Sequence, residues 1–351
     1  MGVLIGDGIG TEIVPAAVTV ADAAGRREGV VIDWVKLPFG LDAVSSHGSP
    51  IPEATLRALD DLDTWIVGPH DASNYPPAQR GSLTPGAVIR KRFDLFANLR
   101  PCQAFPGVPA MAPDIDVLIV RENSEGLYAD RNMATGSGEF MPTPDVALAV
   151  GVVTRAASER IAREAFTAAM GRRRHVTVVH KANVLAMTTG LFRDVCLDVA
   201  AQFPDVVVDQ QHVDAMAAHL VRRPADFDVI VTENLFGDIL SDLAAELAGS
   251  LGLAGSVNAS DRKAMAQAAH GAAPDIAGRG IANPVAMMAS VAQTFRWWAR
   301  SRDDGRFDAV GARIEAAVRT VLSAGVATVD LGGDCDTAAF TDAVLAAVNL
   351  T

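Results

Sequence analysis

Asp238 and Asp242 lie four residues apart in the stretch Thr232-Glu233-Asn234-Leu235-Phe236-Gly237-Asp238-Ile239-Leu240-Ser241-Asp242 of a 351-residue chain. That spacing puts both carboxylates on one face of a helix. The preceding run Phe227-Asp228-Val229-Ile230-Val231 reads as a strand, so the pair projects from a strand-to-helix junction, where open α/β proteins commonly build their sites. Adjacent carboxylates repel unless a cation lies between them, and a hard divalent ion such as Mg²⁺ or Mn²⁺ suits oxygen ligands. A solvated helix start enriched in acidic residues is the competing reading of the spacing taken alone.

Three arginines sit at the edges of structured segments: Arg90 in Ile89-Arg90-Lys91, Arg100 in Asn98-Leu99-Arg100-Pro101, and Arg121 in Val120-Arg121-Glu122-Asn123. Guanidinium forks grip carboxylates bidentately, so three converging on one site would suit a substrate with two or more carboxylates. Lys181 follows the apolar run Val176-Thr177-Val178-Val179, a position where partial desolvation can lower its pKa enough for base chemistry. Tyr128, one of two tyrosines, has the bland alternative of a buried structural phenol. The run Arg172-Arg173-Arg174 is expected to be a solvated helix end or turn.

The elements that must position these groups follow an α/β pattern. Val3-Leu4-Ile5, Trp65-Ile66-Val67-Gly68, Asp116-Val117-Leu118-Ile119-Val120, Val176 to Val179 and Asp228-Val229-Ile230-Val231 suit buried strands. Helical patterns over 11–24, 159–170, 191–202 and 313–322 alternate with them. Gly6-Asp7-Gly8-Ile9-Gly10 invites a Rossmann reading, but the third glycine position of that fingerprint falls on Thr11 and no clear ribose-binding acid follows.

Composition excludes several classes. A formal net charge of −12 opposes polyanionic DNA or RNA, so no nucleic-acid partner is expected. No apolar stretch reaches the roughly 18 residues of a membrane span, and no basic-then-apolar targeting segment opens the chain; a cytoplasmic protein is expected. Cys102, Cys196 and Cys335 lack zinc-type or paired spacing and should be buried free thiols. His212 and His219, seven apart, read as structural or surface histidines.

The acid pair, together with Val213-Asp214-Ala215-Met216-Ala217 and His180-Lys181-Ala182-Asn183-Val184-Leu185, closely resembles the β-decarboxylating dehydrogenases, the family of isocitrate, homoisocitrate, 3-isopropylmalate and tartrate/D-malate dehydrogenases. The likeness runs from Gly6-Asp7-Gly8-Ile9-Gly10 to Asp330-Leu331-Gly332-Gly333 with the motifs in order. It implies that family's two-domain α/β fold with a mixed sheet, not a Rossmann fold. Residues 1–95 and 249–351 would form a large domain and 96–248 a small one, with the active site in the cleft between them. Gly136-Ser137-Gly138 would belong to the small-domain arm used for dimer contacts.

By the same resemblance, Arg90, Arg100 and Arg121 bind substrate carboxylates, Tyr128 and Lys181 are catalytic, and Asp214 joins Asp238 and Asp242 as metal ligands for Mg²⁺ or Mn²⁺. His270, Gly271, Asp275, Ile276 and Asn283 would hold NAD. A carboxylate at Asp275 accepts the ribose hydroxyls and repels the 2′-phosphate of NADP, where NADP-using relatives carry a Lys-Tyr pair. Two departures stand out: Gln267-Ala268-Ala269 replaces a Glu-Pro-Val, and Ala327-Thr328-Val329 replaces an Arg-Thr. The expected assembly is a homodimer with shared active sites.

The segment Gly81 to Ile89 would read the substituent on the substrate's C3. Isopropylmalate enzymes place an acid and bulky leucines there, and this chain has Leu83, Gly86 and Ala87. Homoisocitrate enzymes place an Arg at the position of Ala87; isocitrate enzymes offer a hydroxyl where Thr84 stands and an Asn where Gly86 stands. The expectation is NAD-dependent oxidative decarboxylation of an isocitrate-like hydroxy acid, with 3-isopropylmalate and tartrate or D-malate as competitors. A non-catalytic regulatory subunit is the alternative of another class.

Overall fold

The computed structural model describes every residue except Gly81, Ser82, 129–132, Ala134, Ser137 and Thr351. The expectations that fell on Gly81, Ser82 and Ser137 therefore lie outside the described residues. The strands are β1 (Gly2–Leu4), β2 (Val35–Lys36), β3 (Thr64–Val67), β4 (Ala97–Gln103), β5 (Asp116–Glu122), β6 (Glu139–Thr143), β7 (Val146–Ala149), β8 (His175–His180), β9 (Val207–His212), β10 (Val229–Thr232), β11 (Val257–Ala259) and β12 (Ala264–Ala266). The helices are α1 (Gly10–Arg27), α2 (Leu41–His47), α3 (Glu53–Asp60), α4 (Pro85–Arg92), α5 (Arg155–Met170), α6 (Thr188–Ala200), α7 (Val213–Arg222), α8 (Asn234–Leu247), α9 (Val285–Arg302), α10 (Gly305–Ser323) and α11 (Thr337–Leu350). None of the described helices is long and apolar enough to cross a membrane.

Two compact units emerge: Met1–Ile89 with Phe105–Pro113 and Gly249–Thr351, and Arg90–Ala104 with Asp114–Ala248. The expected division at 95/96 differs from these units in two places. Residues 90–95 go with the second, where Asn123 donates from its backbone to the Phe96 carbonyl at 2.8 Å and from its side chain to that of Leu95 at 3.0 Å. Phe105 and Val108 go with the first, packing against its apolar core, with Arg319 over the Phe105 ring.

In the first unit the strands run β2-β1-β3-β12-β11. All neighbours are parallel except β11 and β12, so this part of the sheet is mixed. Helix α1 buries Ile13, Val14, Ala17, Val20, Ala21 and Ala24, a spacing of three and four that forms one apolar stripe facing α9, α10 and α11. Lys263 ties the end of α3 to this sheet: its ammonium donates to the carbonyls of Leu59, Asp60 and Leu62 and lies 5.6 Å from the Trp65 ring.

The second unit orders its strands β4-β5-β10-β8-β9, with β4 antiparallel to β5 and the others parallel. Its apolar core joins β5, β8 and β10 to α5 and α6 through Val120, Val178, Val231, Phe166 and Phe192. Thr154 caps α5 by accepting the Ala157 N–H. The β6–β7 hairpin is exposed along both strands, Phe140, Met141, Val146 and Leu148 included.

The triple-arginine run is the turn after α5 that the sequence suggested, with Arg173 and Arg174 exposed, but Arg172 departs from that reading. Arg172 is half-buried: it donates through Nε to the buried Asp228 at 2.7 Å and through a terminal nitrogen to Asp116 at 2.8 Å. Arg173 donates to the Phe227 carbonyl. These arginines knot the end of α5 to the heads of β5 and β10, and Arg174 takes a left-handed φ of 59° to make the turn. Removing one partner of a buried ion pair leaves the other charge uncompensated. Arg172→Ala should therefore destabilise the protein by about 3 kcal/mol, read as a lowered midpoint in urea, while Arg174→Ala should shift it little. The thiols need a smaller correction. Cys102 and Cys196 are buried and free, but Cys335 is partly exposed.

Candidate active site

The acid pair emerges where β10 feeds α8, whose first residue follows the capping position at Glu233. Beside β10 lies β5, with Thr232 paired to Arg121, and beside β5 lies β4, with Asn98 paired to Arg121. Asn98 and Arg100 are two apart on a strand and share a face. Strand register thus aims both arginines at α8. Arg100 lies 3.3 Å from Asp238 and 3.3 Å from Asp242, while Arg121 pairs directly with Asp238. Tyr128 donates its hydroxyl to the other oxygen of Asp238 at 3.0 Å, with its ring 5.6 Å from the Arg121 guanidinium. The two guanidiniums are the cations that the repulsion between adjacent carboxylates requires. Burial pushes the Asp242 carboxyl above its ordinary pKa, with Arg100 opposing the shift and Asp238 adding to it.

Neutral side chains hold these arginines. Arg100 donates through Nε to Asn98 at 2.7 Å and through a terminal nitrogen to Ser241 at 2.7 Å. Arg121 donates through Nε and a terminal nitrogen to the carboxamide oxygen of Asn234, at 3.1 and 2.7 Å. The stem of Arg121 lies against Gly237, where an added Cβ would come within 2.6 Å of its Cγ. Sequence reasoning missed these positions. Their signal was spacing: Asn98 precedes Arg100 by two, and Ser241 sits between the acids on their helix.

Lys181 and Asp214 come together by a similar route. Parallel strands β8 and β9 end level, His180 beside His212, and the chain turns at once into Lys181 and into the first turn of α7. Lys181 Nζ meets the exposed Asp214 carboxylate at 2.5 Å, and this hydrogen bond is the main cause holding the carboxyl below its ordinary pKa. Asp214 is not grouped with Asp238 and Asp242: among the described residues no three His, Cys, Asp or Glu side chains of one chain are placed to share a metal ion. Close to this pair Val184, Leu185 and Met187 are exposed, Met187 at 91%. Arg90, at the end of α4, lines a cavity of about 490 Å³ with Lys91, Asn123, Ser124, Glu125 and Arg160.

The first unit holds the remaining candidates. Gly6 and Gly8 have φ of 79° and 55°, and a Cβ on Gly8 would meet the Ala272 carbonyl at 2.0 Å. The glycine turn serves close backbone approach, and the next residue, Ile9, donates its N–H to that carbonyl. Glu12 accepts the Gly278 N–H at 2.7 Å, so the start of α1 grips the segment 270–278 twice. Within that segment His270 Nε2 is buried and meets no hydrogen-bond partner among the described residues, and desolvation lowers the histidine's pKa. Gly271 and Asp275 are exposed and Ile276 is half-buried. Asn283 donates to Asp330, which accepts from Thr328, so the altered Ala327-Thr328-Val329 segment still supports this loop. Thr84 is exposed, and its hydroxyl caps α4 by accepting the Ala87 N–H at 3.4 Å.

Residues 1–344 match the family model described as isocitrate/isopropylmalate dehydrogenase. This chain belongs to that family. It is similar to the isocitrate/homoisocitrate dehydrogenase of Thermus thermophilus, 42% identical over 98% of this chain and 96% of the relative. The 3-isopropylmalate dehydrogenase of Archaeoglobus fulgidus is 39% identical over 97% of each. Among solved structures, isocitrate dehydrogenase from Methylococcus capsulatus has a TM-score of 0.87 and 40% identity, covering 99% of this chain and 98% of that one. The fold is that of the isocitrate/isopropylmalate dehydrogenases, and the relatives are oxidoreductases. Their names point to isocitrate, homoisocitrate and 3-isopropylmalate, so membership in the family fixes the class of reaction more narrowly than the acid oxidised.

Proposed function

We propose that the protein is an NAD- and metal-dependent dehydrogenase that oxidises and decarboxylates a 2-hydroxy acid bearing a 3-carboxylate, with an isocitrate-like acid as its substrate. The observation that carries this reading is the convergence of Arg100, Arg121 and Tyr128 on the Asp238–Asp242 pair. Hard carboxylate oxygens suit Mg²⁺ or Mn²⁺, and Asp238 and Asp242 would hold the ion with Asp214 of a second copy of the chain. When bound, such an ion polarises the substrate's hydroxyl and adjacent carboxylate. For NAD, the hydride acceptor, the buried Nε2 of His270, which has no partner among the described residues, fits a ligand polar group, and His270, Gly271, Asp275, Ile276 and Asn283 would hold the dinucleotide.

The chain's own groups then divide the work. Arg90, Arg100 and Arg121 grip the substrate carboxylates. Lys181 takes the C2 hydroxyl proton, directly or through water, as hydride leaves C2. After CO₂ departs, Tyr128 returns a proton to C3. Supplying Lys181 and Asp214 to a neighbour's site makes the working unit a homodimer, and the exposed Met187 and β6–β7 hairpin are the apolar surfaces it would cover.

A 3-isopropylmalate-type acid is the second reading, favoured by the relatives that carry that name. Release of NADH from isocitrate, homoisocitrate, 3-isopropylmalate, D-malate and tartrate tests both, and silence on all five with Mg²⁺ and Mn²⁺ would sink the proposal. Asp275 adds a prediction: NAD should be preferred over NADP by about a hundredfold in kcat/KM, equivalent to ~3 kcal/mol. Asp275→Lys with Ile276→Tyr should narrow or reverse it. A wild-type preference for NADP would show the loop assignment to be wrong.

A further inference from the structure

Arg121 is placed to grip substrate only if its guanidinium plane is fixed, and one side chain on the opposite side from Asp238 does the fixing. We infer that Asn234 is a positioning residue for Arg121, an uncharged brace that holds the guanidinium in register without cancelling its charge. The inference rests on the proposed role of Arg121 in binding a substrate carboxylate.

Four observations support the brace. Asn234 is fully buried, and its carboxamide oxygen accepts two N–H groups of Arg121, at 3.1 and 2.7 Å. Its amide nitrogen donates to the Glu125 carbonyl at 3.1 Å, so the orientation of the carboxamide is fixed by the backbone that follows β5. Gly237, one turn along α8, leaves the space in which the Arg121 stem lies. An amide suits the charge environment where a carboxylate would not. Glu122, Glu125 and Glu233 already repel one another nearby, and burial raises Glu125 and Glu233 to about 7 each. A further acid at 234 would add to that repulsion and would neutralise the guanidinium that must attract an anion.

The test uses the full-length enzyme with isocitrate, Mg²⁺ and NAD. Asn234→Ala should raise KM for isocitrate at least tenfold and leave KM for NAD within twofold, the pattern of a lost contact shared by ground and transition states. In an Arg121→Lys background the same change should add less than twofold, because the brace acts through Arg121. Losses that multiply in the double variant, or a KM for NAD that rises in step, would overturn the inference. Asn234→Asp keeps the acceptor oxygen while adding a charge, and serves if the alanine variant fails to fold; its KM for isocitrate should rise as well.

A measurement independent of turnover separates this idea from the proposed activity. In a ¹⁵N-arginine spectrum the Nε–H of Arg121, identified by its loss in Arg121→Lys, should exchange slowly in the wild type and in Asn234→Asp, and quickly in Asn234→Ala. Fast exchange in the wild type refutes the brace whatever the kinetics. Slow exchange with no oxidation of any hydroxy acid retains the brace and refutes the substrate reading.

Discussion

Mixing Lys181→Ala with Asp242→Asn under conditions that exchange subunits should restore about a quarter of wild-type activity from two inactive proteins. With random exchange, half the dimers are hybrids, and in each hybrid one of the two sites draws Lys181 from one chain and Asp242 from the other. The expectation comes from how one chain distributes its chemistry: Lys181 is paired with Asp214, and Asp238 and Asp242 are paired with arginines. Asp242 is the better choice of acid because its side chain is 54% exposed and meets Arg100 at 3.3 Å, so its loss should spare the fold. Self-contained sites would leave a lesion in every site. No recovery despite hybrids seen by mass spectrometry would therefore refute sharing.

Chelation should abolish turnover, and added Mg²⁺ or Mn²⁺ should bring it back. Withdrawing a cation that stabilises developing negative charge removes several kcal/mol of transition-state stabilisation, a loss of about a thousandfold or more in kcat. The two acids should differ in a second respect. Asp242→Asn should lose rate with little loss of stability. Asp238→Asn should lose both, because Arg121 is only 5% exposed and pairs directly with Asp238, and a buried guanidinium without its carboxylate costs about 3 kcal/mol. Parallel rate assays and urea titrations of the two variants give the comparison. Full activity in excess chelator would remove the metal from the scheme.

Where the sequence was legible, a periodic apolar pattern made it so. β3, β5, β8 and β10 are short, mainly apolar runs that are largely buried, and α1 carries its stripe at spacings of three and four. β4 was hidden because Arg100-Pro101 interrupts any such run; its antiparallel register with β5 is what makes it a strand. β9 was hidden because it lies at the end of the strand order and its last four residues, Asp209-Gln210-Gln211-His212, are polar. The acids, Lys181 and Tyr128 could be named from residue type and resemblance. Asn98 and Ser241 left a signal only in their spacing, and Asn234 left none, since it is chemically ordinary until a strand 113 residues away in sequence brings Arg121 against it. Arg172 failed for the same reason: its partner Asp228 is 56 residues distant and buried.

Gly237 offers a way to recognise lapsed function from a single letter of sequence. Because the Arg121 stem fills the space a Cβ would need, any side chain at this position forces that stem or α8 itself to shift. A related chain could then retain every acid, the lysine, the tyrosine and all three arginines and still be unable to seat an anionic substrate. Such a chain would pass an inventory of active-site residues, yet its glycine-to-anything change would mark it as a candidate for the non-catalytic subunits that some multi-chain dehydrogenases employ. This chain carries glycine at 237, so that space is open here.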